Sequence, residues 1–243
     1  VGNITDTPGM IRPSLPGHWG SFPRDQELFP DPSGGEITGL WRADKGLLAL
    51  TSGSTFMIQP SDDGQRFRSA PISSTVGCEA PNSIAALNDG RVVWLGYEGF
   101  YAFDGQVVTP ISIELRALFR RVTKARMRQA CAAYDSRSNE YRCWLSIDGS
   151  TENNLCVTYD GNGWRTRTDS TARDVCTTQD HRRYMLVAGH AQVMSTIEPD
   201  STVRSPNGVF LLDHTGNGAD TSLTTLINNR ESFIETAWLD SQA

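Results

Sequence analysis

The sequence lacks the short motifs that mark the common enzyme classes. Its four histidines form no H-x-x-x-H or H-E-x-x-H pair, and there is no Gly-x-Ser-x-Gly elbow, lysine-containing phosphate loop or dinucleotide fingerprint. We therefore expect a protein that is not an enzyme, with no catalytic residue, no cofactor and no metal ligand. A glycosidase pair of carboxylates stays open, because the fold could bring together any two of the 28 acidic residues.

Long apolar runs are also missing. The longest cover only a few residues, whereas a helix needs about 20 to cross a bilayer. The N-terminus has no basic-then-apolar signal pattern, so we expect no membrane-spanning segment. The sequence begins at Val1 and stops just after a strand-like run at residues 233–240, which favours an excerpt or a processed form.

Positive charge is scarce, and the cysteines show no pairing pattern. The net charge of -6 and the pI near 5.2 give no overall attraction to nucleic acid. The five cysteines are an odd number and contain no C-x-x-C pair, which indicates neither a zinc site nor a disulfide framework. We expect buried free thiols made in a reducing compartment, with a Cys131–Cys143 bridge as the alternative.

What the sequence does contain is a repeated hairpin phrase: an apolar run, a turn rich in Gly, Asp, Asn or Ser, and a second apolar or aromatic run. The copies cover residues 47–58, 92–103, 141–159 and 184–194. They recur roughly every 45 residues, which is typical of a four-stranded propeller blade. We therefore predict an all-β fold, a β-propeller or a propeller-like array of antiparallel hairpins.

The composition divides the chain into three parts. Residues 1–36 are rich in proline and glycine, which predicts an arm or linker. We predict propeller-like blades for residues 37–200, and for residues 201–243 terminal strands of a further blade or truncated domain. The arm carries Trp19, Phe22 and Phe29. Aromatic residues in an extended segment anchor it to a larger body, here the chain's own core or a neighbouring subunit, so these three are candidate subunit contacts.

The third hairpin alternates strictly, with every second residue expected to face the same side of a half-buried sheet. One side would carry Tyr141, Cys143, Leu145 and Ile147, and the other would carry Arg142, Trp144 and Ser146. We expect Trp144 and Trp164 to pack between sheets rather than to serve as ligand platforms.

One short helix is predicted near residues 112–122. Ser112 is placed to cap the amide of Leu115, and the apolar residues Leu115, Leu118, Phe119 and Val122 recur at helical spacing. The other face and the following residues are basic, with Arg116, Arg120, Arg121, Lys124, Arg126 and Arg128. Two interpretations are open: a solvated helix face with a charged linker, or a contact strip for an acidic partner or a phosphate backbone.

The segment Ser61-Asp-Asp-Gly-Gln-Arg-Phe67 is a degraded match to the Asp-box turn of sialidase-type propellers. Its spacing is short by one residue and the terminal Thr-Trp is absent, so a plain Asp-Gly hairpin turn is favoured. This segment motivates the alternative function, a propeller-fold protein that binds or cleaves glycans.

Several phrases taken together resemble the β-propeller proteins of bacteriophage tails, the tail nozzle or tail tubular proteins of short-tailed phages. They are Thr75-Val-Gly-Cys78, Ala80-Pro-Asn-Ser-Ile84, the aromatic pair of runs at 93–105, and Ile111-Ser112 before the short helix. The resemblance covers residues 36–169. The relatives are usually longer, and the arginine-rich stretch after Val122 departs from their more acidic or polar segment.

The resemblance implies a virion structural protein, made in the host cytoplasm and located in the phage tail. It implies a homo-oligomeric ring, sixfold in the nozzle relatives, that contacts portal, adaptor or other tail proteins and forms a channel for genome passage. An acidic channel would keep DNA from sticking. We expect the basic segment at residues 116–128 to lie at a subunit interface and not in the channel.

Overall fold

The computed structural model describes residues 2–4, 6–18, 20–61, 66–136, 138–168, 171–177, 185–190 and 207–212. For 2–4, 176–177, 185–190 and 207–212 it describes the backbone alone. This part of the chain is mostly β, with three antiparallel four-stranded sheets and one short α-helix. It contains no helix long and apolar enough to cross a membrane.

Each sheet is an antiparallel meander in chain order. A two-stranded sheet comes first, with β1 (Gly2–Ile4) and β2 (Thr7–Ile11). The first four-stranded sheet contains β3 (Ile37–Ala43), β4 (Gly46–Thr51), β5 (Thr55–Pro60) and β6 (Phe67–Ser73). The second contains β7 (Ala85–Ala86), β8 (Val92–Leu95), β9 (Phe100–Phe103) and β10 (Val108–Pro110). The third contains β11 (Cys131–Asp135), β12 (Glu140–Leu145), β13 (Leu155–Tyr159) and β14 (Trp164–Arg167).

A fourth sheet is three-stranded among the described residues, with β15 (Asp174–Thr177), β16 (Met185–His190) and β17 (Asn207–Leu212). β17 is one of the terminal strands expected within residues 201–243. Residues 191–194, the second run of the fourth hairpin phrase, lie outside the described residues, and β15 and β17 pair along the two edges of β16. The fourth sheet therefore crosses the expected division at residue 200.

The sheets pack face to face in chain order, and three apolar layers separate them. The layer between the first and second sheets contains Leu48, Leu50, Met57, Val92, Trp94 and Phe103. The layer between the second and third contains Val93, Leu95, Phe100, Tyr141, Cys143 and Val157. The next layer joins Cys131, Trp144 and Cys156 of the third sheet to Ala172 and Val175. Neighbouring residues of β8 thus face different layers.

The first strands of successive sheets approach one another. β11 contacts both β7 and β15. Gly39 of β3 comes so close to the residue before β7 that a Cβ on it would lie 2.2 Å from Cδ1 of Ile84. The first strands of neighbouring sheets are therefore close to one another.

The stack has two distinct ends. The turns that follow β3, β5, β7, β9, β11 and β13 lie at one end, which we call the turn end; there the Asn88 side-chain amide donates to the Ser136 carbonyl at 3.4 Å. The opposite end, which we call the helical end, holds the β4–β5 and β8–β9 tips and the segment from Ile113 to Gln129. At this end the Cys78 amide donates to the Thr51 carbonyl at 2.8 Å, which ties the chain before the second sheet to the end of β4.

The predicted helix is shorter than residues 112–122. A 3-10 turn at Ile113–Leu115 leads into α1 (Arg116–Phe119), and a second 3-10 helix covers Lys124–Gln129. The expected Ser112 side-chain cap is wrong. The Leu115 amide donates to the Ser112 backbone carbonyl, while the Ser112 hydroxyl accepts from the Phe100 amide at 2.8 Å and holds the segment against β9.

The alternation of the third sheet is confirmed, but both of its faces are buried. Tyr141, Cys143 and Leu145 face the second sheet, and Trp144 faces the opposite layer with no exposed surface. Cys78, Cys131, Cys143 and Cys156 are free and buried, as predicted. The alternative Cys131–Cys143 bridge is wrong, because the two thiols lie on opposite faces of this sheet.

The arm packs against the outer face of the first sheet. Ile11 and Leu28 form an isolated bridge and pack with Phe56 and Ile58 on the face that the second sheet does not cover. The Ser69 hydroxyl donates to the Pro30 carbonyl at 3.1 Å. Residues 7–35 are therefore tied to the chain's own core through aliphatic side chains.

Candidate functional site

The basic segment predicted as a contact strip lies at the helical end and is anchored by its apolar face. Phe119, Val122 and Met127 are buried in the layer between the second and third sheets, with Leu115 and Leu118 packed against them. The Thr123 amide donates to the Ser146 carbonyl at 2.9 Å. The spacing that predicts a helix therefore places the apolar residues correctly, and the cations point away from the core.

Arg121 is held by an acid from the third sheet. Its Nε lies 3.0 Å from Oδ1 of Asp148 and its Nη2 2.5 Å from Oδ2, which is a bidentate pair. The hydrogen bond with Asp148 raises the pKa of Arg121, and the same bond lowers the pKa of Asp148. Both side chains are about half exposed, so solvent screens the pair.

Arg128 is held by an acid from the arm. Its Nη2 lies 2.6 Å from Oε2 of Glu36, the residue before β3. The hydrogen bond to Glu36 raises the pKa of Arg128. This pair links the basic segment to the start of the first sheet, so Arg128 has a role within the chain.

Lys124 lies on an aromatic platform. Its Nζ donates to the Tyr97 carbonyl and lies 4.4 Å from the centre of the Tyr97 ring and 5.4 Å from that of Phe119. Burial lowers the pKa of Lys124, and the nearby carboxylates of Glu98 and Glu79 oppose that shift. Lys124 therefore fastens the segment to the β8–β9 tip.

Arg126 is engaged locally, whereas Arg116 and Arg120 extend into solvent. The Arg126 guanidinium donates to the Gln129 side-chain oxygen. Within the described part of the chain, Arg116 and Arg120 are exposed and form no ion pair. Two of the six cations, Arg121 and Arg128, are thus paired with acids in the fold, and Arg116 and Arg120 are left for an external contact.

The structure does not bring the arm aromatics to the basic segment. Phe22 is 36% exposed and Phe29 is 51% exposed, and neither belongs to a buried cluster. Trp19 lies outside the described residues. The two described aromatics stand free on the surface of the arm, where a neighbouring molecule could cover them.

Two exposed apolar residues beside the segment were missed at the sequence level. Tyr97 is 54% exposed at the β8–β9 tip, and Ile113 is 59% exposed at the start of the 3-10 turn. Their signal in the sequence is weak, because Tyr97 stands between Gly96 and Glu98, and Ile113 continues an apolar run after Ile111. Exposed aromatic and aliphatic residues at the rim of charged groups are typical of contact surfaces.

Neither metal nor Asp-box chemistry is visible in the part of the chain that the structure describes. It contains no group of three or more His, Cys, Asp or Glu side chains placed to hold a metal ion. Residues 62–65 of the Asp-box-like turn lie outside the described residues. The flanking β5 and β6 pair as a hairpin, closed by the Ser61 amide donating to the Arg66 carbonyl at 3.1 Å.

No protein-family model matches this chain, and no curated protein is significantly similar to it.

Proposed function

We propose that the chain is a β-propeller-type array that serves as a structural subunit of a bacteriophage tail. In this proposal copies assemble into a ring, sixfold as in the nozzle relatives, located in the virion between portal or adaptor proteins and the rest of the tail. The ring encloses a channel through which the genome passes. The role is mechanical, because the protein acts through its shape and its contacts.

The observation that carries the proposal is the chain-ordered stack of antiparallel meanders. In a propeller, consecutive four-stranded meanders pack face to face and their first strands line the centre. Here the second strands begin at Gly46, Val92, Glu140 and Met185, and β11 contacts the first strands on both sides. This arrangement supports the proposal that the sheets are propeller blades. The resemblance over residues 36–169 supports the proposal that the protein belongs to a phage tail.

The surface features are compatible with a subunit that touches other subunits. Phe22 and Phe29 stand exposed on the arm, and Arg116 and Arg120 stand exposed at the helical end. The net charge of -6 favours a channel that repels DNA of the same sign. We place the two free arginines at protein contacts and not in the channel.

Electron microscopy of the purified chain, combined with mass photometry, tests the proposal. We expect closed rings with a central channel and a mass that is an integer multiple of 26.7 kDa, six being the expected number. Dispersed monomers at every concentration would contradict the ring. Glycan binding on an array, with no ring, would support the alternative function.

Changing Phe22 and Phe29 together to serine should abolish the ring without lowering the melting temperature. The reason is that both side chains reach the surface of the free subunit, Phe29 more than Phe22, and in this proposal a neighbouring subunit covers them. Val107→Ser is the matched control, since Val107 is 52% exposed at the turn end. Equal loss of rings in both variants would show that the arm has no specific role.

A further inference from the structure

The helical end carries an exposed surface of mixed chemistry, which we call the apical face. Its apolar members are Tyr97 and Ile113, both more than half exposed. Its other members are Glu98, Glu114, Arg116, Ala117 and Arg120, all exposed.

The two parts of the apical face adjoin each other. The Ser112 hydroxyl accepts a hydrogen bond from the Phe100 amide, and a Cβ on Gly99 would lie 2.5 Å from the same hydroxyl. The β8–β9 tip that holds Tyr97 therefore lies against the residue before Ile113. Tyr97 and Ile113 therefore stand on neighbouring segments at the same end of the stack.

The order of the charged residues along the short helical segment determines which partner surface can fit it. Ile113, Arg116 and Arg120 are three and four residues apart and all three are exposed, whereas Leu115 and Leu118 pack towards the core. Glu114 stands at the start of the exposed side, Ala117 in the middle and Arg120 at the end. A negative charge thus comes first, a small residue second and a positive charge last.

The apical face carries two acids and two arginines, and Lys124 lies against its Tyr97 ring. Glu98, Glu114, Arg116 and Arg120 form no ion pair with another residue in the part of the chain that the structure describes. A partner of one sign, such as a phosphate backbone, would meet repulsion from Glu98 and Glu114. A surface with the same mixture in reverse order places an acid opposite an arginine at each end of the segment.

We propose that the apical face binds the apical face of a second copy of this chain through a two-fold contact. An isologous contact requires a self-complementary surface. Antiparallel alignment of the two segments sets Glu114 of each copy opposite Arg120 of the other, and Ala117 lets the segments approach. Tyr97 and Ile113 of both copies are covered beside them.

This contact does not rest on the proposed ring. A ring is built from heterologous contacts, in which two different surfaces meet, whereas this contact joins like to like. It pairs two free subunits, or two rings if rings form. Loss of the dimer therefore leaves the ring proposal standing, and loss of the ring leaves the dimer standing.

Sedimentation velocity across a wide concentration range tests the contact, with three variants of the 243-residue chain. We expect the unaltered chain to associate in pairs, as dimers of free subunits or as double rings if rings form. Arg120→Glu and Glu114→Arg should each weaken self-association at least about tenfold, because each places like charges opposite each other twice. The double variant, with both changes, restores the opposite pairs and should recover dimerisation.

Arg42→Glu is the matched control, since Arg42 is an exposed arginine on β3 away from the helical end. It should dimerise like the unaltered chain, and thermal melting should verify that all variants fold. Monomers up to about 1 mM, or a double variant no better than the single ones, would overturn the proposal. So would binding of duplex DNA that depends on Arg116 and Arg120 in a chain that stays monomeric.

Discussion

At the scale of single residues, Gly77 is tightly enclosed by backbone atoms. A Cβ on it would lie 2.2 Å from the Thr51 carbonyl oxygen and 2.4 Å from the carbonyl carbon of Ser52. Its own carbonyl accepts a hydrogen bond from Nε1 of the buried Trp94 at 3.0 Å. The backbone of Gly77 is therefore pressed between the β4–β5 tip and the second sheet, where only glycine fits.

Gly77→Ala should lower the free energy of unfolding by about 2–3 kcal/mol, because the methyl group meets backbone atoms that cannot move alone. Urea denaturation followed by tryptophan fluorescence measures this change. Gly53→Ala is the matched control, since no atom lies within 4 Å of its Cβ position. If the two substitutions lower the free energy of unfolding by the same amount, the close approach of backbone atoms at Gly77 does not contribute to stability.

At the scale of elements, an Asp-Gly pair recurs in three turns at the turn end. The glycine of each pair has a positive φ, namely Gly90 at 84°, Gly105 at 97° and Gly161 at 91°. Oδ1 of Asp104 accepts from the amides of Gln106 and Val107 at 2.8 and 2.9 Å. Asp160 accepts in the same way from Asn162 and Gly163 at 2.9 and 3.0 Å. The carboxylate substitutes for water at the donors of the turn.

These turns should make stability depend on pH. The Val107 and Gln106 amides lower the pKa of Asp104, and the Asn162 and Gly163 amides lower the pKa of Asp160. A folded-state pKa below the unfolded value of about 3.9 stabilises the fold above that pH, and the stabilisation is lost as the pH falls through the folded-state pKa. Thermal melts of the Asp104→Asn, Asp160→Asn double variant test this. The asparagine side-chain oxygens still accept the hydrogen bonds, but these side chains do not titrate. The difference in melting temperature between the variant and the unaltered chain should therefore become smaller from pH 7 to pH 2.

The corresponding double alanine variant separates charge from hydrogen bonding. It removes the acceptors and should melt lower than the asparagine variant at pH 7. If the asparagine variant and the unaltered chain keep a constant difference in Tm at every pH, the lowered pKa values contribute nothing to stability.

Strands and turns could be predicted from the sequence because their signals are local. β13 and β14 lie where alternating runs on either side of Asp160-Gly161 place them. Burial of both faces of the third sheet could not be predicted, since it depends on neighbouring sheets. The same holds for the basic segment: Arg121 and Arg128 meet acids 27 and 92 residues away in the chain. Nothing near either arginine in the sequence indicates its partner.

At the scale of the whole molecule, the buried thiols report on separate layers of the stack. Cys78 lies between the first and second sheets, Cys143 between the second and third, and Cys131 and Cys156 on the outer side of the third. Burial raises the pKa of the Cys78 and Cys131 thiols to about 12, and burial raises the pKa of Cys143 well above its ordinary value. Since the thiolate is the reactive form, these thiols should react only after their layer opens.

Thiol labelling therefore measures whether the stack unfolds as one unit. Trp94 packs in the first layer and its neighbours Val93 and Leu95 in the second, so loss of either layer removes β8 from both. We expect Cys78 and Cys143 to be alkylated by iodoacetamide at the same rate, with the same dependence on urea, as measured by peptide mass spectrometry. Repeat architectures in which each unit contacts only its neighbours can lose units one at a time. Labelling of Cys78 at a urea concentration that leaves Cys143 protected would show that the first sheet detaches alone, and that β8 does not couple the two layers.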